Sequence, residues 1–256
     1  MSASESRFSD VALGATGVLA LFVGWEIVSR LGLVSPQIFP APSTALIGSL
    51  GRMPLADIAA DVGISIWRVA VGFAVGAGLG VLIGVLAGWY RSVGILVRPI
   101  IDLLRPIPPL AWIPIAIVWF GLGEASKVFV IFLGAFFPIW TNTYRGMTAI
   151  DPMLFRAAQT MDQRGLALLF KVAVPAASPD IATGLRVGWG LAFGVLVAAE
   201  LIAAERGMGF MIMQARQLGE IGIVLFGIIL IGVTNLATDY ALGAAIRRWI
   251  GRWHAV

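Results

Sequence analysis

The chain has 256 residues, of which 59% are hydrophobic and 12% charged. A soluble domain carries roughly 25% charge, so the composition excludes that class and indicates a polytopic membrane protein, with room for about six helices at ~20 residues per span. With no cysteine and one histidine, His254, disulfides, thiolate metal sites and cysteine nucleophiles are excluded; the net charge of +4 falls mainly in short loops, which does not suggest nucleic acid.

No cleavable signal is expected, because the opening MSASESRFSD is polar and the apolar run behind it is long enough to span. The first predicted span covers about Val11 to Leu33 and carries Glu26 near its outer end. Pro36, Pro40 and Pro42 then punctuate an extended segment. Ser43 is placed to cap a short interfacial helix reaching about Ala60. The second span, about Ile64 to Trp89, carries Gly72, Gly76, Gly80, Gly84 and Gly88 at every fourth position, a groove that lets another helix approach closely.

The third span, about Arg98 to Gly123, contains Pro99, Pro106, Pro108, Pro109 and Pro114. Proline in a membrane helix frees backbone carbonyls that must find protein or water partners. Asp102 and Arg105, three apart, can pair on one helical face. They mark either a kink with a satisfied ion pair or a moving element beside a pathway. A fourth span runs from about Val128 to Tyr144, a fifth from about Ile181 to Ala203 with Glu200 near its end, and a sixth from about Ile221 to Ile246. The tail RRWIGRWHAV is basic and aromatic, as suits a helix end anchored at the interface.

Between the fourth and fifth spans lies the longest polar-bearing interval of the chain. Within it Phe155, Ala158 and Met161 share one helical face, and Leu166, Phe170 and Ala173 share another. Gly165 separates the two halves and Pro175 closes the second, so two short amphipathic helices joined by a bend are expected outside the bilayer. Such a surface invites a partner. Twelve Lys and Arg fall on the side of the termini and of this interval, against six opposite, which places both in the cytoplasm. The tally includes Arg7 and Arg252 on the cytoplasmic side and Arg68 and Lys127 on the other. No phosphate-cradling loop, nucleophile elbow or H-E-x-x-H pair is present. Energy drawn from ATP therefore has to come from a partner.

The interval resembles the EAA loop of binding-protein-dependent ABC importer permeases. Ala157 and Ala158 match the two alanines, and Val172, Val174 and Pro175 match the distal end. The family's Glu is Arg156 here and its Gly is Asp162, with Gly165 available as an alternative bend. Phe39 to Pro42, Leu104 to Lys127, Phe132 to Gly146 and Val197 to Gln217 are similar to the nitrate, sulfonate and taurine branch, so the likeness covers nearly the whole chain.

The resemblance implies an all-α membrane bundle of the type I importer class: one permease domain, 1–256, with its coupling loop at about 148–180. It implies no catalytic residue, metal or cofactor in this chain, with ATP and Mg held by two partner ATPase subunits. It further implies a second permease copy forming a homodimer, a periplasmic or lipid-anchored solute-binding protein, and the bacterial inner membrane. Arg156, Ala157, Ala158, Asp162, Gly165 and Pro175 are the implied ATPase-coupling residues.

Asp102, Arg105, Trp112, Asn142 and Glu200 are candidate pathway or gate residues, because polar groups on spans are costly to bury without purpose. Each has a plainer reading: Glu200 as an ion-pair group at the outer rim, Trp112 as packing or an interface anchor, Asn142 as a bond to a neighbouring helix. The solute implied is small and anionic, such as nitrate, a sulfonate or taurine. Bicarbonate, a thiamine precursor or another small organic solute stands as the alternative within the branch. An ion-coupled secondary transporter is the alternative class, and would need a midplane ion site and usually an internal repeat.

Overall fold

A computed structural model describes residues 3–32, 35 and 37–254, the side chains of 3–12, 15, 250 and 252–254 excepted. Pro36 and the side chains of Arg7, Arg252 and His254, used above, lie outside the described residues. The described chain is almost entirely helical, without a strand. Its helices are α1 (Ala3–Arg30), α2 (Pro42–Arg52), α3 (Leu55–Trp89), α4 (Arg91–Leu104), α5 (Ile113–Phe120), α6 (Glu124–Thr148), α7 (Pro152–Thr160), α8 (Gly165–Leu168), α9 (Val174–Ala203), α10 (Met208–Gln217) and α11 (Ile221–His254). A short 3-10 turn, Pro109–Trp112, precedes α5, and a π turn, Leu169–Ala173, joins α8 to α9.

Among the described residues, four helical stretches are long and apolar enough to cross a membrane: Leu55–Trp89, Glu124–Thr148, Gly165–Ala203 and Ile221–Trp249. The proline-rich third span is two helices, α4 and the Pro109–Phe120 stretch, bent by 86° and counting as a fifth crossing if taken together. Pro106, Pro108 and Pro109 cannot donate the backbone bonds a continuous helix needs, and the chain turns there. Helix α1 occupies the place of the expected first span.

Two compact units can be distinguished, residues 1–60 with 211–231, and 61–210 with 232–256. In the first, the Phe39–Pro42 segment is fastened to the end of α1. Glu26 accepts from Ser43 Oγ at 2.6 Å, Ser43 N at 3.1 Å and Arg30 Nε at 2.6 Å. Ser29 Oγ donates to Phe39 O at 2.7 Å, and Trp25 stacks on Phe39. Ser43 therefore does not cap α2 as expected; the first-turn amide is satisfied by Glu26 from α1, and the N-cap is Ala41. Helix α2 also stops at Arg52 instead of continuing to Ala60, because Pro54 follows and α3 starts afresh at Leu55.

The second unit is built on close backbone approach. A Cβ added at Gly76 would lie 2.8 Å from Ala135 Cβ and 3.1 Å from Phe132 O. One added at Gly72 would meet Ile131, at Gly80 Ile139, and at Gly84 Thr143. The fourth-residue glycine stripe of α3 thus receives the matching fourth-residue stripe of α6. Helix α9 packs on another side of α6 by the same means, with Gly184 against Ile139 and Asn142, Gly188 against Ala135 and Ile139, and Gly134 against Val195. In lipid there is no hydrophobic force between apolar helices, so such small-residue contacts supply the packing.

Substituting Gly76 by Ile is expected to abolish the monodisperse peak of the purified protein on size-exclusion chromatography. Gly78, with nothing within 4 Å of its added Cβ, is expected to accept Ala with unchanged elution.

Candidate functional site

Two places in the second unit concentrate chemistry, at opposite ends of α3, α6 and α9. The first is an ion-pair network. Arg68 of α3 is almost wholly buried, with 2% of its side chain exposed. Its Nε and Nη2 donate to the two oxygens of Glu124, at 2.6 and 2.7 Å. Its Nη1 donates to Glu200 Oε1 at 2.7 Å and to Arg206 O at 2.6 Å. The flat guanidinium thus bridges a bidentate carboxylate on one side and a second carboxylate on the other.

Glu200, fully buried on α9, also accepts from Ser65 Oγ at 2.7 Å and from Gly209 N at 2.9 Å. Ser65 Oγ in turn accepts from Met208 N at 3.0 Å, and Asp61 accepts from Gly207 N at 3.0 Å. Lys127 donates to Glu124 at 3.0 Å. Three helices and the turn after α9 are therefore tied at one end by hydrogen-bonded charges. Gly207 is required in this arrangement: its φ is +124°, and a Cβ there would lie 2.5 Å from Glu200 Oε1. The two halves differ in access, since Glu200 is enclosed while 41% of the Glu124 side chain is exposed. A hollow of about 430 Å³ opens beside it, lined by Arg68, Glu124, Lys127, Glu205 and Arg206.

The second place is the segment from α7 to the start of α9. Asp151 caps α7 by accepting from Met153 N at 2.8 Å. At the other end, Asp162 N donates to Gln159 O and Gln163 N to Ala158 O, both at 3.1 Å. This pair of bonds is the Schellman stop, whose C′ position is left-handed and usually glycine. Asp162 takes it with φ of +57°, the sole positive φ at a non-glycine among the described residues. Asp tolerates that region better than most residues. Gly165 is left-handed too, with φ of +55°, so both bend positions are used. Helix α10 ends with the same bond pattern, with Gly219 in the left-handed place.

Pro175 does not close a second short helix. The π turn carries α8 straight into α9, giving one helical run from Gly165 to Ala203, and Pro175 sits in the first turn of α9, where its missing N–H costs least. Leu169, Ala173, Ala177 and Ile181 pack with Val85 and Met147 in one core, and Phe155 packs against Trp89. Facing away from this core, Met153, Leu154, Met161, Leu166 and Phe170 are exposed. The faces thus differ from the expected ones: Ala158 and Ala173 are buried and Phe155 half-buried, while Met161, Leu166 and Phe170 point outward. Arg156 and Ala157 are exposed beside them.

No hydrogen bond or ion pair joins any two of Asp102, Arg105, Trp112, Asn142 and Glu200 among the described residues. Asp102 pairs with Arg98, four residues back within α4, at 3.3 Å, and not with Arg105, which is the C-cap just past the end of α4. Both Asp102 and Arg105 are exposed. Trp112 is half-buried at the α4–α5 bend, against the cluster of Leu133, Phe137 and Trp140. Asn142 Nδ2 donates to Pro138 O of its own helix, at 2.8 Å, and not to a neighbour. Ser65, Arg68 and Glu124 were not singled out from the sequence. The available signal was Arg68 itself, a charge inside an otherwise apolar span, which by its cost demands a partner.

The Binding-protein-dependent transport system inner membrane component family matches residues 80–251. The chain belongs to this family. It is a multi-pass transport permease subunit of an ABC importer and not itself an enzyme. Membership in a binding-protein-dependent system implies ATPase and solute-binding partners. The permease is 42% identical to an ABC transporter permease protein of Methanocaldococcus jannaschii over 85% of this chain and 83% of that one. It is 39% identical to the aliphatic sulfonates transport permease protein SsuC of Bacillus subtilis, over 84% and 78%. It is 35% identical to the taurine transport system permease protein TauC of Escherichia coli, over 97% and 91%. Its fold is similar to a chain of the inward-facing methionine ABC transporter MetNI, with a TM-score of 0.58, 20% identity, and coverage of 75% of this chain and 97% of that one.

Removing one partner of a buried ion pair leaves an uncompensated charge, at a cost of about 3–5 kcal/mol. Arg68→Met is therefore expected to lower the thermal unfolding midpoint of the purified permease strongly, and Arg68→Met with Glu200→Gln is expected to recover part of that loss. At the bend, Asp162→Gly is expected to raise the midpoint slightly and Asp162→Val to lower it, since β-branched residues do not suit the left-handed region.

Proposed function

We propose that the permease moves a small solute bearing a sulfonate group, an aliphatic sulfonate or the zwitterion taurine, into the cell by alternating access. Two copies form the pathway in the bacterial inner membrane, with both termini and the α7–α8 segment in the cytoplasm. The solute class rests on the relatives named for aliphatic sulfonates and for taurine. The side rests on the excess of Lys and Arg around the termini and this segment. ATP and Mg are held by two partner ATPases, and a solute-binding protein delivers solute to the outer face.

One observation carries the mechanism. An exposed apolar surface, Met161, Leu166 and Phe170, is rooted in a helical run that continues to Glu200. From Phe170 to Glu200 is ~45 Å at 1.5 Å per residue, enough to cross the bilayer. ATPase closure against Arg156, Ala157, Asp162 and Gly165 is thereby applied to a rigid helix whose far end is held by Arg68. Ala158 and Pro175 act from inside, Ala158 by seating α7 on the bundle and Pro175 by starting α9. A shift from 1:99 to 99:1 between inward and outward states needs ~5.5 kcal/mol of differential binding, which nucleotide binding in the partner supplies. Asp102, Arg105, Trp112 and Asn142 fall on the broken α4–α5 element and on α6, and line the pathway once the second copy is in place. Glu200 holds the outer end as a gate residue.

Charge on the docking surface is expected to break coupling without unfolding the bundle. Ala157→Asp and Phe170→Asp should reduce co-purification of the ATPase by ~10-fold or more, equivalent to about 1.4 kcal/mol, with an unchanged thermal midpoint of the permease alone. In proteoliposomes holding the complex and its binding protein, labelled taurine uptake should require ATP. Uptake by the permease alone without nucleotide would overturn the reading in favour of an ion-coupled carrier.

A further inference from the structure

A hollow of about 400 Å³ lies where α3 ends and α4 begins. Its walls include Arg91 and Arg98 from α4, Tyr144 and Thr148 from α6, and Trp89 from α3. Arg91 and Arg98 are seven residues apart, two turns of helix, so they share one face at ~10 Å separation. No acidic residue lines the hollow. Arg98 is held by Asp102 through Nε alone, at 3.3 Å, and Arg91 makes no ion pair among the described residues.

The level of the hollow is fixed by its own chemistry. Helix α3 is an apolar span that ends at Trp89, and Tyr90 and Arg91 follow at once. Aromatic side chains next to arginine at the end of a span mark the headgroup region of a bilayer. From this rim α4 turns an apolar strip outward beside the arginines, with Ile95 63% exposed and Pro99 exposed as well, both on the wall of the hollow. A soluble anion would find the arginines but would leave that surface bare. A molecule with a phosphate and acyl chains matches both, and basic hollows between membrane helices are suited to such headgroups.

We propose that this hollow binds an anionic phospholipid, with its phosphate between Arg91 and Arg98 and its acyl chains along Ile95 and Pro99. Tyr144 lines the same hollow and supplies a hydroxyl for a second headgroup oxygen. The bound lipid stands beside the α3–α6 contact and α4, so its headgroup steadies the first half of the span that bends before Pro109.

The test is a lipid titration of the purified full-length permease by native mass spectrometry, using dioleoyl phosphatidylglycerol and dioleoyl phosphatidylcholine. The expected result is one phosphatidylglycerol per chain bound at least ~5-fold more tightly than phosphatidylcholine. Arg91→Gln with Arg98→Gln should bring the two lipids level. Arg91→Lys with Arg98→Lys should keep most of the preference, since lysine still binds phosphate as a point charge. Arg216→Gln, an exposed arginine on α10, should leave it intact. The proposal is overturned if the double glutamine variant retains the wild-type preference, or if Arg216→Gln lowers it equally. Displacement of the lipid by millimolar inorganic phosphate would also overturn it, by making the hollow a site for a soluble anion.

Discussion

The close approach of α3, α6 and α9 is the constraint on which the second unit depends. In a bilayer, side chains gain little by leaving lipid for another apolar surface, so helices hold together only where their backbones come near enough for dense van der Waals contact. Gly72, Gly76, Gly80 and Gly84 provide that on α3, and Gly184 and Gly188 provide it on α9. Helix α6 lies between them and carries the knobs, Ile131, Ala135, Ile139 and Thr143. The contact repeats along the helices, so they are held along their length and not at a single crossing point.

The two ends of these rods are finished differently. At one end, Arg68 between Glu124 and Glu200 makes an ionic tie that excludes water on the Glu200 side and opens to a hollow on the Glu124 side. Such a tie contributes little net stability compared with apolar packing, yet breaking it is costly. It therefore favours one defined arrangement of the three helices over loosely packed alternatives. At the other end, the segment from α7 to the π turn is seated by apolar contacts, through Phe155 on Trp89 and Leu169 and Ala173 in the core of Val85 and Met147. Its outer surface keeps Leu166 and Phe170 exposed, a composition that suits a partner protein. The π turn between α8 and α9 keeps this surface in helical continuity with the span.

Much of the fold was legible in the sequence because membrane helices write themselves in hydropathy and proline. The spans of α3, α6, α9 and α11, the glycine stripe on α3 and the break in the third span were all expected from local pattern. The bend between α7 and α8 was expected at Asp162 or Gly165, and both positions are left-handed. Helix ends were harder. Pro175 looks like a terminator in the sequence, but a proline in the first turn of a new helix lacks only a bond that helix does not make. The stop of α2 at Arg52, and Asp102 pairing with Arg98, likewise turned on which backbone position each residue occupied.

By itself, then, the sequence determined the class of molecule: a glycine-grooved, proline-broken membrane bundle with a partner-seeking segment, and no energy source of its own. Those properties are local, set by composition, period and spacing. Only the tertiary structure decided which faces of α7 and α8 look outward, and that Ala158 is buried while Phe170 is exposed. It alone joined Arg68 to Glu124 and Glu200, which stand 56 and 132 residues from it along the chain. A charge in a span announces that it has a partner, because leaving it alone in lipid is prohibitive. It cannot announce which partner, since that depends on the rotation and depth at which three helices come to rest against one another.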